Sequence, residues 1–224
     1  MADQTRPVVI FGAGELAEVA FAYFDTDSPR DVAAFAVDRD HLGAKTLCGR
    51  PVVAFQDVAE HYPPVDYDGF VAVGYSGLNK LRMEKCLAFS DKGYTLASYV
   101  SSRATTFADL DIGWNVFSLE DNTIQPFARI GNGVTLWSGN HIGHHAQIGD
   151  FAFISSHVVI SGGVSVGART FIGVNATTND HISIGERCVI GSGALITKDV
   201  ADEGVLSAEP AKLSGVPSSR LRGI

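Results

Sequence analysis

The chain has 224 residues, 46% hydrophobic and 19% charged, with 24 glycines and a formal net charge of −8. That balance is typical of a folded globular protein and excludes a disordered one. The acidic charge argues against a nucleic-acid surface but leaves small anionic ligands open, since a few local donors suffice to hold them. No apolar run approaches the roughly 20 residues that cross a bilayer, so no membrane partner is expected. The start, MADQTRPVVIFG, lacks the basic and apolar segments of a signal peptide. Cys48, Cys86 and Cys188 have neither disulfide-framework nor zinc-thiolate spacing. A cytoplasmic protein without a metal is expected.

Residues 7–100 carry no repeat and read as a small parallel α/β unit. PVVIFGAGELAEVAFAYF is an apolar strand, a glycine turn and a helix with Leu16, Val19, Ala20 and Tyr23 on one side. AAFAVD ends a second strand at Asp38 and YDGFVAVG a third at Gly74; LNKLRMEKCLAFSDKGY is helical, and TLASYVSS is a fourth strand leading into the repeat. The turn from Gly12 to Ala17 matches G-x-G-x-x-A, with Asp38 at a strand end 24 residues beyond Gly14. In a Rossmann unit such glycines admit a phosphate to the helix N-terminus and the acid binds ribose hydroxyls. The unit is short for a dinucleotide domain, so a mononucleotide or nucleotide-sugar is expected at Gly12, Gly14, Glu15 and Asp38. A tight turn without a ligand is the alternative. Tyr75, Asn79 and Arg82 follow the third strand and suit further polar contacts, although an exposed helix face explains Asn79 and Arg82 equally well.

From Ile112 a six-residue frame takes over. Steps of six fall on Ile112, Ser118, Ile124, Ile130, Leu136, Ile142, Ile148, Ile154, Ile160, Val166, Ile172, Thr178, Ile184, Ile190 and Ile196, of which thirteen of fifteen are aliphatic. Glycine follows at eight of them, and a small or β-branched residue mostly stands two places before. Such a period fits short strands that each point one large side chain inward, joined by glycine-relieved turns. Three hexads close a triangular coil of 18 residues, and about five coils stack at roughly 4.8 Å into a prism. Two domains result, 1–100 and 101–224, the second including a C-terminal tail.

Five of the seven histidines lie between 141 and 181: His141, His144, His145, His157 and His181. With 18 residues per coil, His144 stacks beneath Gly162, with Pro126 below and Asp180 above. An imidazole with an ordinary pKa near 6.5 is able to take a proton from an amine or hydroxyl at neutral pH. A glycine one coil higher exposes an N–H able to hold a developing oxyanion. Solvated surface histidines are the plain alternative for the others. No cysteine falls in this column, so a covalent acyl-enzyme is not expected.

The glycine turn, α/β unit and prism together resemble the sugar acetyltransferases that include bacillosamine N-acetyltransferase, perosamine N-acetyltransferase and sialic acid O-acetyltransferase. The likeness covers nearly the whole chain and is carried by IGHHAQIGDF, VSVGARTFIGVNAT, VIGSGALITKDV and EPAKLSG. It implies a left-handed parallel β-helix, a homotrimer, and acetyl-CoA lying along the prism between subunits. It also implies a nucleotide-sugar held by the α/β domain. His144 maps to the general base and Gly162 to the glycine that offers its N–H; the acid that often follows the base is His145 here. Lys198 and Lys212 are the coenzyme contacts expected, although the tail reads Ala208-Glu209-Pro210-Ala211-Lys212 in place of G-x-P-A-K. The implied reaction moves acetyl from acetyl-CoA to an amino group of a nucleotide-linked deoxyamino sugar, with a sugar hydroxyl as the runner-up acceptor. Two other classes stand beside it. One is a γ-carbonic-anhydrase-like metal enzyme using His145 and His181 with Glu186 where a third histidine is expected, and the other a non-catalytic nucleotide-binding module.

Overall fold

The structure, a computed structural model, describes residues 5–108 and 110–220; the first four residues read for a leader lie outside them. The N-terminal unit runs β1 (Val8–Phe11), α1 (Glu15–Asp27), β2 (Val32–Val37), β3 (Thr46–Leu47), β4 (Arg50–Ala54), α2 (Val58–His61), β5 (Asp68–Val71) and α3 (Lys80–Asp91). Its sheet has the order β3-β4-β2-β1-β5, parallel except for the β3–β4 pair. β1 is buried throughout because both faces are covered, as a parallel sheet requires. Val8 and Ile10 meet Ala17, Ala20 and Phe24 of α1, whereas Val9 and Phe11 meet the cluster holding Cys86 and Phe89 of α3. This is the two-residue alternation of a strand.

One expectation for this unit is corrected, and one element is added. The buried face of α1 is Ala17, Ala20 and Phe24, with Leu16, Val19 and Tyr23 only partly covered, because small residues let the helix lie close to the sheet. The link from β2 to β5 contains the β3–β4 hairpin. TLASYVSS leads from the sheet into the repeat as expected: Leu96 bridges Gly69 of β5 in parallel, and β6 (Tyr99–Val100) then pairs with Phe117 and Ser118 and starts a wall of the prism.

The remainder is a left-handed parallel β-helix of two-residue strands. Partners are 18 residues apart, as in Arg129↔Gln147, Thr135↔Phe153 and His141↔Val159. The first wall carries Phe117, Thr135, Phe153, Phe171 and Val189 outward; the second carries Thr123, His141, Val159, Thr177 and Leu195. Asp111, Arg129, Gln147, Ser165 and Ser183 line the third. The register starts before Ile112, at Tyr99↔Phe117, and shortens to 16 residues in the last coil, at Val189↔Val205. Inside, Ile130, Leu136, Ile142, Ile148, Ile154 and Ile160 belong to one continuous core. The two polar steps are locally satisfied: Asn122 Nδ2 donates to Ser118 Oγ, and the Ser161 N–H to Thr178 Oγ1.

The glycines that follow the aliphatic steps serve stacking, where turn relief was expected. A Cβ on Gly143 would lie 2.6 Å from the Gly162 nitrogen, and one on Gly167 2.4 Å from that of Glu186. The turn strain is instead carried three residues after each step, where φ is positive at every corner from Asn115 to Gly193.

The two units share a continuous interface on the first wall. Tyr23 meets Phe117 edge-on, and Phe151 and Trp114 of the prism join the cluster of Phe11, Cys86 and Phe89. Asp27 at the end of α1 accepts hydrogen bonds from Tyr99, Ser101 and Ser102. Ser102 first, then Tyr99, lowers the Asp27 carboxyl from 3.8 to about 2.

Candidate functional site

Two places gather the residues singled out by sequence: a crevice at the carboxyl ends of β1, β2 and β5, and the prism vertex between the second and third walls. In the crevice, Gly12 has φ +127°, and a Cβ there would stand 2.7 Å from the Ala72 carbonyl oxygen. Only glycine fits so close to the neighbouring strand. Gly14 caps α1, and a Cβ on it meets nothing within 4 Å, so the helix N-terminus is open. Glu15 is exposed in that first turn, where its carboxylate repels a phosphate and suits a ligand's hydroxyl or N–H donors.

Asp38 stands at the end of β2 and is not alone. Lys85 of α3 places its Nζ 2.7 Å from the carboxylate and 5.0 Å from the Phe11 ring centroid. Sequence reading missed this lysine, because nothing in its spacing shows that α3 delivers it to the second strand. The pair gives the crevice a cation for phosphate and an acceptor for hydroxyls.

Asn79 and Arg82 do not belong to a ligand site. Arg82 is 1% exposed, and its guanidinium donates to the carbonyls of Val73, Gly74, Gly133, Phe151 and Ala152. Burial lowers its pKa to about 10, and the carbonyl dipoles of both units hold its charge. Asn79 is wholly buried, sits at φ +62°, and donates to the Arg169 carbonyl. Arg169 in turn donates to the Gly77 and Leu78 carbonyls. These residues lock the α/β unit onto the prism. Tyr75 is 56% exposed and rests on Phe153 and Phe171, with ring centroids 5.1 and 4.8 Å away.

At the vertex His144 is exposed, its N–H held by Gln125 Oε1 at 2.9 Å. Its ring lies against Gly162: a Cβ there would be 2.7 Å from both Cε1 and Nε2. The 18-residue coil therefore brings the two together on the outside of the prism. His144 Nδ1 is 3.2 Å from His145 Nδ1, and the His145 ring rests 4.8 Å from Phe127, an exposed aromatic that sequence reading did not single out. One expectation is corrected: the Gly162 N–H is not free but donates to Asp180 Oδ1 at 3.0 Å. The same 18-residue capping recurs where the Asn132 N–H meets Asp150 Oδ1 and that of Val158 meets Asn140 Oδ1. Lys198 continues the vertex column and is exposed; Lys212 lies in an exposed tail without regular structure.

His145 and His181 share this vertex, whereas Glu186 lies at the vertex between the third and first walls and pairs with Arg187. Among the described residues no three of His, Cys, Asp and Glu form a group able to hold a metal ion.

The prism matches the family model described as bacterial transferase hexapeptide (six repeats) over residues 127–162, and that described as hexapeptide repeat of succinyl-transferase over 163–198. No curated protein matches the chain. Among solved structures it is similar to PerB from Caulobacter crescentus in complex with CoA and GDP-perosamine. Identity is 26%, 93% of this chain and 97% of that chain are covered, and the TM-score is 0.81. A mutant of perosamine N-acetyltransferase from the same organism, also with CoA and GDP-perosamine, gives 26%, 94%, 97% and 0.82. The acetyltransferase domain of PglB from Neisseria gonorrhoeae, with acetyl coenzyme A, gives 23%, 93%, 98% and 0.79, a likeness of fold. The likeness to these structures spans both units of the chain.

Proposed function

We infer that this chain is a hexapeptide-repeat sugar acetyltransferase, which moves an acetyl group from acetyl-CoA to an amino group of a nucleotide-linked deoxyamino sugar. The observation that carries the reading is the exposed His144 imidazole lying on the bare Cα of Gly162. The 26% identity to perosamine N-acetyltransferase over nearly the whole of both chains supports an amine over a hydroxyl as acceptor.

His144 Nδ1 and His145 Nδ1 lie 3.2 Å apart; the reaction uses the tautomer in which His144 Nδ1 carries the proton and donates it to that contact, with the Nε2 lone pair facing the site. Nε2 accepts the proton of the amine as its nitrogen bonds to the thioester carbonyl carbon. His144 then passes the proton to the departing sulfur, so an amide and free coenzyme A result. The Gly162 N–H stabilises the carbonyl oxygen once Asp180, an exposed side chain, turns to solvent. Lys198 stands three coils beyond His144 on the same edge, roughly 14 Å at strand spacing, where a cation suits the coenzyme's phosphates; Lys212 serves from the tail. In the crevice, Gly12 and Gly14 admit the nucleotide's phosphates, Lys85 neutralises them, and Glu15 and Asp38 accept from its hydroxyls or base.

The working unit is a homotrimer. The α/β unit covers the first wall, and His144 lies at the vertex opposite that wall, so one chain does not bring its crevice to its own base. A cytoplasmic setting suits three free thiols, Cys48, Cys86 and Cys188. No helix among the described residues is long and apolar enough to cross a membrane.

The test incubates the protein with acetyl-CoA and a panel of nucleotide-amino sugars, following thiol release and product mass. His144→Ala lowers kcat by about 10²–10⁴-fold with the trimer intact. Near-wild-type transfer by that variant overturns the assignment.

A further inference from the structure

One aromatic side chain beside His144 is not explained by the packing of its own chain. Seven prism corners place a residue other than Gly, Asn or Asp at positive φ, and six of these have visible local partners. Phe151 is buried between the two units, and the His157 and His181 rings cover Gly139 and Gly163. Arg169 holds the Gly77 and Leu78 carbonyls, Arg187 pairs with Glu186 and Glu203, and His145 meets His144. Phe127 differs: its φ is +66° and it is 67% exposed. A bulky side chain in the left-handed region is strained, and an exposed ring gains no burial to offset the strain. Strain of this kind collects at active sites and ligand clamps.

The contacts of Phe127 lead to the proposed base. Its ring centroid lies 4.8 Å from that of His145, whose Nδ1 is 3.2 Å from His144 Nδ1. The same short stretch carries both histidines: Gln125 Oε1 accepts from the His144 N–H, and the Pro126 carbonyl from the His145 N–H. Phe127, His145, His144 and Gly162 thus climb one vertex of the prism. Gly162 and Lys198 lie above His144, where the coenzyme is placed by the acyl-transfer reading on which this inference rests. The acceptor then has the lower side, over His145 and Phe127. Phe107, 49% exposed, and Pro126 line a small hollow with Phe127. Among the described residues no charged side chain lines it, so it suits the apolar C–H face of a sugar ring and not a phosphate.

We propose that Phe127 is a stacking platform for the acceptor sugar, supplied by the chain that supplies the base. The C–H face of the ring rests on Phe127 while the amine reaches His144 Nε2, one coil higher. Phe127 therefore contacts the sugar and leaves the nucleotide to the crevice.

Calorimetry without acetyl-CoA reads binding in the absence of turnover. The probes are GDP- and UDP-linked 4-amino-4,6-dideoxyhexoses, with GDP and UDP alone as references. In the wild type a sugar-bearing probe binds more tightly than its bare nucleotide. Phe127→Ala removes about 2- to 10-fold of that preference, leaves the affinities for GDP, UDP and acetyl-CoA unchanged, and Phe127→Trp keeps it. In turnover, Phe127→Ala raises the acceptor KM and not that of acetyl-CoA. Phe127→Asn also loses the preference, yet its Tm rises by about 2–4 °C, because Asn accepts the left-handed corner as Asn115 and Asn175 do. Equal sugar affinity in the wild type and Phe127→Ala overturns the proposal, and so does a wild type without any sugar preference. A lower Tm with dissociated trimers in both Phe127→Ala and Phe127→Asn overturns it as well, since the ring then packs between copies. A wild type that binds the sugars through Phe127 but releases no thiol from acetyl-CoA sinks the acyl-transfer reading and leaves the platform standing.

Discussion

Every prism corner places one residue at positive φ, and seven of these fourteen are Gly, Asn or Asp: Asn115, Asp121, Gly133, Gly139, Gly163, Asn175 and Gly193. Histidine tolerates this region better than most residues. His145, His157 and His181 all sit there, at φ +59°, +58° and +56°. Their recurrence thus has a conformational cause, which corner geometry does not give for His141, on a strand of the second wall, or for His144, the one whose ring lies on Gly162. At the same vertex Asp180 occupies the amide that the proposed reaction uses. A hydrogen bond of this kind contributes about 0.5–1.5 kcal/mol net, so Asp180→Ala raises kcat/KM by about 2- to 10-fold as the Gly162 N–H is freed. Steady-state kinetics at saturating acceptor checks this, and a fall of tenfold or more would show that the carboxylate assists catalysis.

At the scale of elements, α1 is tied to the first prism coil through Asp27. Its folded-state pKa, about 2, lies below the ordinary 3.8, so the unfolded chain binds the proton more tightly. The contribution is fully present above pH 3.8 and is lost as the pH falls through 2. Asp27→Ala is accordingly less stable than the wild type at pH 6, and the gap closes as the pH approaches 2; urea melts across this range measure it. A gap unchanged with pH would mean that the carboxylate's charge plays no part. The prism elements were legible in sequence because each hexad repeats one local demand, an inward aliphatic residue such as Ile142 or Ile160. Gly162 and His144 could be paired from the period alone. What could not be read depends on packing between elements distant in sequence: Lys85 reaching Asp38 within the α/β unit, and Arg82 sinking among five carbonyls of both units. Arg82 and Asn79 look like surface polar residues because their partners are backbone atoms of the prism, at Gly133, Phe151 and Arg169, which no side-chain pattern encodes.

For the whole molecule, the triangular section of the prism decides which surfaces meet. The α/β unit holds the first wall through Tyr75, Arg82 and Arg169, and His144 occupies the opposite vertex. The crevice and the proposed base of one chain therefore face different directions, and the exposed Val159 and Leu195 on the second wall are apolar surface suited to the proposed association. In the proposed trimer a threefold ring repeats one heterologous contact, so every site of that assembly would join the vertex of one chain to the crevice of the next. Two inactive variants then become informative together. His144→Ala removes the base and keeps the crevice. Gly14→Leu keeps the base and fills the crevice; its side chain enters open space, because a Cβ at Gly14 meets nothing within 4 Å. Denatured together in equal amounts and refolded, the chains assort at random. An intact site needs a His144→Ala chain supplying the crevice and a Gly14→Leu neighbour supplying the base, each with probability one half, so roughly a quarter of wild-type activity returns. Sites built within single chains give none at any mixing ratio, and a mixture that stays inactive after trimers have re-formed rules out the shared site.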